Sequence, residues 1–213
     1  MSKLRLRIST SLDGFVAGPS QSLQAPLGVG GERLNGWVVA LEIWRRAHGQ
    51  TGGDVNESTA VVEEEMANIG ATIMGRNMFG GGAGPWGKTD PWKGWWGDNP
   101  PFQHPVFILT HHAREPLVMQ GGTTFTFVSD GIESALEQAR RAAGGKDVAL
   151  SGGARAAQQY LAAGLVDEMQ LHLVPALLGG GERLFENVGN LHGLVLVETV
   201  AAPNVTHLRF ARK

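Results

Sequence analysis

Leu4, Leu6 and Ile8 alternate with Arg5 and Arg7, a period of two that predicts a half-buried β-strand ending near Ser9. Further along the spacing becomes helical. Val62, Met66 and Ile69 share one face of a predicted helix, with Asp54 and Glu57 as a candidate capping box and Gly70 as its stop. Ala71–Met74 then reads as a strand, Val106–Thr110 as an apolar run of the kind buried on both faces, and Thr123–Val128 as a strand rich in Thr, Phe and Val. Asp130 and Glu133 open a helix whose Ile132, Leu136 and Ala139 face inward, closed by Gly144 and Gly145. Strand Val148–Leu150 follows, then a helix through Tyr160 and Leu161 that Gly164 ends. Met169, Leu171 and Leu173 alternate with Gln170 and His172 up to Pro175, and Leu194–Val200 with Val205–Phe210 reads as a closing hairpin. This alternation predicts an α/β fold, a three-layer α/β/α sandwich with a central, mostly parallel mixed sheet and an antiparallel C-terminal strand.

Two segments break the rhythm, so the expectation is a single domain over residues 1–213 with inserted loops at about 19–53 and 80–105. The first is rich in glycine and holds one helix-like piece with Trp37, Leu41 and Trp44 on a common face. The second carries Trp86, Trp92, Trp95 and Trp96, four of the six tryptophans. These rings either pin the loop to the body or a subunit partner, or wall a pocket for a flat ring.

Composition narrows the partners. With 213 residues, 42% hydrophobic and 18% charged, the chain can bury a substantial core. A formal charge of -2, with no basic run longer than Arg45-Arg46 or Arg140-Arg141, argues against a nucleic-acid surface and for a small-molecule substrate. The absence of cysteine removes disulfides, thiolate metal sites and Cys nucleophiles. The start MSKLRLRIST reads as a strand and not a signal peptide, and no apolar run reaches membrane-spanning length, so a cytoplasmic location is expected.

The chemistry concentrates at two strand-to-helix junctions. Val148–Leu150 runs into Ser151, Gly152 and Gly153 and then a helix, and Ala71–Met74 runs into Gly75, Arg76 and Asn77. A strand that ends in glycine and restarts as a helix leaves unpaired N–H groups pointing outward, which suits phosphate. Asp13, in Leu12-Asp13-Gly14 after the first strand, either orients a polar substrate or relays a proton, or does ordinary turn chemistry by accepting backbone N–H bonds. His111 and His112 are adjacent, so on a strand they point to opposite faces, and no metal site is expected.

Ser11-Leu12-Asp13-Gly14, Ile73-Met74-Gly75-Arg76, Phe107-Ile108-Leu109-Thr110, Ser151-Gly152-Gly153-Ala154-Arg155 and Leu177–Phe185 occur in an order that resembles the dihydrofolate reductase superfamily. The likeness is greatest to the branch containing the reductase domain of bacterial riboflavin biosynthesis, and it runs from about Lys3 to Arg209 outside the two loops. It implies NADPH as cofactor. By that resemblance Gly75 lets the backbone turn close to the cofactor. Arg76, Asn77 and Met78 open a helix facing the phosphates, and Thr110 and His111 meet the 2′-phosphate. Gly152 and Gly153, following Ser151 at the strand end, correspond to the family's diglycine, often joined by a cis peptide, and Ala154, Arg155 and Ala156 offer a helix N-terminus. Asp13 falls near nicotinamide and substrate, while Leu177–Phe185 is a structural crossover. A homodimer is also implied.

One family feature is missing. Dihydrofolate reductases proper carry a carboxylate on the helix before the Met-Gly-Arg strand, and counting back from Arg76 puts Thr59 there; Glu57, Glu63 and Glu64 fall at other angles. The expected function is therefore an NADPH-dependent reductase acting on a small heterocyclic acceptor. The alternatives are a riboflavin-pathway reductase of a phosphoribosylamino-uracil precursor, or a nucleotide-binding module without turnover.

Overall fold

The structure, a computed structural model, describes residues 2–82, 84–87, 92–190 and 193–213. Leu4–Ser11 is β1 and Phe15–Ala17 is β2; Gly36–Val39, Glu42–Ala47 and Glu57–Met66 are α1, α2 and α3. Ile69–Gly75 (β3) leads into Arg76–Phe79 (α4), and Pro105–Leu109, Leu117–Val118 and Thr124–Val128 are β4, β5 and β6. Ile132–Ala142 (α5), Asp147–Leu150 (β7) and Ala154–Ala162 (α6) follow. Glu168–Val174 (β8), Glu182–Arg183 (β9), Leu194–Ala202 (β10) and Val205–Arg212 (β11) complete the chain.

Among the described residues the main sheet has nine strands in the order β10-β11-β8-β1-β7-β3-β4-β6-β5, and β2 pairs separately with β9. The strands from β8 to β6 run parallel, and the C-terminal hairpin adds antiparallel to β8, as the sequence pattern predicts. The antiparallel edge strand β5 was not foreseen, because two residues, Leu117 and Val118, carry no periodicity. No helix is long and apolar enough to cross a membrane among the described residues.

Alternation along β1 sends its side chains to two different layers. Leu4 and Leu6 join Leu136, Ala139, Tyr160 and Leu161 in the core under α5 and α6. Tyr160, fully buried, donates its hydroxyl to Ile132 O at 2.8 Å and so ties those two helices together. On the opposite face Leu34, Trp37, Leu41 and Val62 pack against Val174 and Val205, so the 19–53 excursion and α3 form one layer over the β8–β11 half. The excursion holds two short α-helices and a 3-10 turn instead of the single helix expected. Phe79, Val106, Ile108 and Phe125, with tryptophans of the second loop, form a third core over β4 and β6.

α3 differs from its sequence reading in both cap and face. Its capping box is Asn56 with Thr59, not Asp54 with Glu57: Asn56 accepts from Ser58 N at 2.9 Å and Thr59 Oγ1 accepts from Asn56 N at 3.2 Å. Its buried face is Ser58, Val62 and Glu65, while Met66 is 47% exposed and Ile69 already belongs to β3. Two of the three inward residues are polar, so a search for apolar period selects the wrong stripe.

Candidate active site

β3 and β7 are neighbours in the sheet, with Ile73 opposite Leu150, so the two glycine junctions emerge side by side. Gly75 N donates to Gly152 O at 2.6 Å and Ser151 N to Ile73 O at 3.0 Å. A Cβ on Gly75 would lie 3.3 Å from Ala156 Cβ and 3.5 Å from Gly153 N. The Gly152–Gly153 peptide is cis. No side chain caps the start of α4 or α6, so the leading amides of both helices are left for whatever enters between them. Ser151 Oγ is buried there without a hydrogen-bond partner.

These junctions open into a cleft of about 1340 Å³ whose lining runs from the C-terminal ends of β3, β4 and β7 past Glu65 and His104 to Ile69 and Lys146 near the opposite ends of those strands. Gly75, Arg76, Asn77, Met78, Thr110 and His111 line it together with Ser151, Gly152, Gly153, Ala154, Arg155 and Ala156, so every candidate cofactor residue from the sequence faces one space. Arg155 and His111 are exposed at the rim, whereas the Thr110 hydroxyl is occupied within the turn, accepting from His112 N at 3.1 Å.

The positive charge here is concentrated. The Arg76 guanidinium lies 3.1 Å from the centroid of Trp86, and Arg114 lies 4.9 Å from the same ring. Neither has a carboxylate within ion-pair distance among the described residues. Burial, then the neighbouring Arg114, pulls Arg76 below the ordinary arginine value, and burial does the same to Arg114. Two adjacent cations without counter-ions leave unneutralised charge beside the cleft, which favours an anion.

The tryptophan loop is pinned to the body by its indoles. Trp92 donates to Phe79 O at 2.8 Å, Trp95 to Met78 O at 3.0 Å and Trp86 to His112 O at 2.8 Å. Gly80, at φ +86, lets Trp95 close over the backbone, since a Cβ there would sit 2.6 Å from the ring. Trp95 and Trp96 also line the cleft, so the loop both packs and walls. Its residues 83 and 88–91 lie outside the described residues.

Asp13 is committed elsewhere. Its carboxylate accepts from Gly179 N at 2.7 Å and Leu178 N at 3.1 Å, and it is not among the cleft-lining residues. The Ser11 hydroxyl, with the Gly179 and Leu178 amides, holds its carboxyl down at about 2, so it stays ionised and is a poor proton donor near neutrality. Of the two roles the sequence left open, the geometry shows the turn contact. The Leu177–Phe185 crossover packs as expected, with Arg183 stacked 4.3 Å from the Phe15 ring centroid.

Thr59, where the acid is absent, gives its hydroxyl to the α3 cap, and a buried carboxylate that the apolar pattern does not single out lies further along the same helix. Glu65, two turns further along α3, is buried and lines the same cleft, with His172 Nε2 2.9 Å from its Oε1. That contact is out of line with the ring N–H, so Oε1 is left without a hydrogen bond. Burial alone would push the Glu65 carboxyl up, but His172, Arg7 and His207 together bring it below the ordinary value. The available signal was register: Glu65 is one turn from Val62, and His172 and His207 fall opposite each other on paired strands.

Comparison with known proteins agrees with this architecture. A family model described as the RibD C-terminal domain matches residues 2–208. A protein described as a riboflavin biosynthesis protein from Shewanella sp. PV-4 is 21% identical with a TM-score of 0.61, over 99% of both chains. Dihydrofolate reductase from Enterococcus faecalis, complexed with NADP(H) and RAB-propyl, is 12% identical with a TM-score of 0.55, over 99% of this chain and 96% of its own. RibD from Acinetobacter baumannii is 17% identical with a TM-score of 0.56; all of this chain is covered, but only 58% of that one. At these identities the structural likeness shows the fold. No protein of curated function matches significantly.

Proposed function

Because the chain belongs to the RibD C-terminal domain family, on a dihydrofolate-reductase-like fold, we propose that it is an NADPH-dependent reductase that delivers hydride to a small heterocyclic acceptor. The observation that carries this reading is the meeting in one cleft of two uncapped helix starts and Arg76, which has no carboxylate partner among the described residues and has Arg114 behind it on the Trp86 ring. The residues fit the cofactor: a dinucleotide phosphate needs amide donors, cations and a close backbone approach, and Gly75, Gly152 and Gly153 leave that approach open.

When bound, NADPH supplies the hydride, and the protein supplies position and electrostatics. The amides of Gly153, Ala154, Arg155 and Ala156, with Ser151 Oγ, would hold the pyrophosphate, while Arg76, steadied on Trp86, and Asn77 would face the phosphates from α4. Arg155, Thr110 and His111 would meet the 2′-phosphate. Trp95 and Trp96 exclude water from one wall, and Ile8 and Ser9 line the cleft at the end of β1, where an acceptor would sit.

Fluorescence titration of the cleft tryptophans with NADPH and NADH tests the reading. Wild type is expected to bind NADPH more tightly, and Arg155→Ala to remove a charge-assisted contact of roughly 1.5–3 kcal/mol. That is a rise of about ten- to hundredfold in the NADPH Kd with little change for NADH; equal changes for both, or no binding of either, refute it. The family match favours a riboflavin-pathway pyrimidine as acceptor, which rescue of a riboflavin auxotroph tests.

A further inference from the structure

Hydride delivery to a C=N or C=O bond leaves a negative charge that a proton must neutralise, and the expected helix carboxylate is not at Thr59. Instead four side chains, each under one-tenth exposed, form a file from the base of α3 to the cleft: Ser58 (1%), His207 (1%), His172 (4%) and Glu65 (8%). Ser58 Oγ lies 2.9 Å from His207 Nε2, the two Nδ1 atoms of His207 and His172 are 2.8 Å apart, and His172 Nε2 is 2.9 Å from Glu65 Oε1. Trp37 covers both imidazoles, with ring centroids at 4.6 and 4.9 Å, and its own N–H is held by Ser9 Oγ at 3.2 Å. Only the Glu65 and His172 end lines the cleft. The donors face one another directly, and among the described residues no group of three is arranged to hold a metal ion.

An Nδ1 to Nδ1 contact between imidazoles requires one N–H and one lone pair, so one ring donates and the other accepts. The arrangement that turns an N–H toward the carboxylate has Ser58 donating to His207 Nε2, His207 Nδ1–H donating to His172 Nδ1, and His172 Nε2–H facing Glu65. Within it Glu65 takes two forms, ionised or carrying one additional proton, and neither changes the file behind it. The two differ by one proton and by no heavy-atom movement, and the extra proton sits at the cleft end. The charged groups facing Glu65 are Arg7 from β1, His172 from β8 and His207 from β11; Glu64, its neighbour on α3, turns away to Arg209.

We propose that Glu65 relays a solvent proton to the acceptor as hydride is transferred, and that His172, His207 and Ser58 act as positioning residues that keep His172 Nε2–H turned toward the Glu65 carboxylate. Resting on the reductase reading above, the step balances as follows. Hydride from the dihydronicotinamide would add to carbon, the π pair of the acceptor would move to nitrogen or oxygen, and that atom would bond the proton carried by the Glu65 carboxyl. The nicotinamide is oxidised, the acceptor is reduced by two electrons, and the carboxylate takes its next proton from hydronium or a buffer acid entering the cleft. Unpartnered Glu65 Oε1, held almost out of solvent, is the atom that a donor on the ligand or this relayed proton would satisfy.

The test begins on the free protein. Nitrogen-15 NMR of the histidine rings near neutral pH is expected to show His207 with its proton on Nδ1 and His172 with a proton on Nε2. Ser58→Ala should remove the donor that holds this order and turn both rings into tautomer mixtures. A His172 without an Nε2 proton in wild type overturns the proposal, whatever the cofactor does. In turnover, Glu65→Gln is expected to lower kcat by roughly 10²–10⁴-fold, a general-acid contribution, with the loss steepening as pH rises and with the NADPH Kd and Tm retained. If Glu65→Gln does not fold, His172→Gln carries the same expectations. An unchanged kcat in a folded variant overturns the role. Failure of wild type to bind NADPH is a separate result that removes the reductase reading and the proton role together.

Discussion

Gly75→Ala isolates the packing of the two junctions. Gly75 has φ -77 and ψ 157, an extended conformation that alanine adopts without strain, so the cost of the substitution is steric alone. The new methyl would stand 3.3 Å from Ala156 Cβ and 3.7 Å from Gly152 O. Ordinary carbon contacts lie at about 3.5–4.0 Å, so the neighbour must retreat by a few tenths of an ångström. Ala156 has no torsion with which to retreat, and it is buried on α6, so the backbone of one junction must move. Overpacking of this kind costs about 1–3 kcal/mol, a fall in Tm of roughly 3–10 °C for a chain of this size. The same shift turns the α6 amides out of line, and weakening one charge-assisted hydrogen bond by about 1.5 kcal/mol raises the NADPH Kd about tenfold. Gly153→Ala is the contrast: a Cβ there meets nothing within 4 Å, so Tm should hold while the methyl intrudes on the cofactor space and the Kd rises. Thermal unfolding with tryptophan-fluorescence titration reads both quantities. A Gly75→Ala protein with wild-type Tm and wild-type Kd refutes the close-packed junction.

Two further outcomes concern stability. Tyr160→Phe leaves the Ile132 carbonyl without its buried donor, and calorimetry should find a loss of about 1–3 kcal/mol; an unchanged Tm would show that this hydroxyl does not tie α5 to α6. His104 is pushed down to about 4 by burial and by Arg7, and His207 to about 4 by burial and by His172. Both bind protons more weakly folded than unfolded, so their contribution is complete above the unfolded value and is lost as pH falls through about 6.5 toward about 4. Tm measured against pH should be level near neutrality and drop across that window, with a smaller drop in His104→Asn; a level profile down to the carboxylate range contradicts the burial argument.

The parallel centre of the sheet was legible because buried strands such as Val106–Leu109 leave apolar runs, and both glycine junctions were legible because an apolar run stops at glycine and a helical pattern resumes directly after it. The cleft's far wall was not. Glu65, His172 and His207 read as polar positions on elements whose apolar residues set the periodicity, and only the packing of α3 against β8 and β11 reveals that they face inward. Asp13 illustrates the opposite difficulty: Asp-Gly after a strand fits either a catalytic or a turn role, and its partners Leu178 and Gly179 are 165 and 166 positions away. Trp86 was visible as an aromatic in a loop, but its contact with both Arg76 and Arg114 depends on packing no local pattern encodes.

The strand order also dictates how this chain must come together. β1, synthesised well before either of its neighbours, lies between β7 and β8, so Leu4 waits for Val148 and Arg5 for Glu168 before either edge is satisfied. Loop closure over so many residues is slow, and until it happens the central strand has two open edges that can pair with other nascent chains. Assembly is therefore a late, nearly all-or-none event: synthesis must pass β8 before the middle of the sheet exists, and the His172–His207 contact closes only with the final strand.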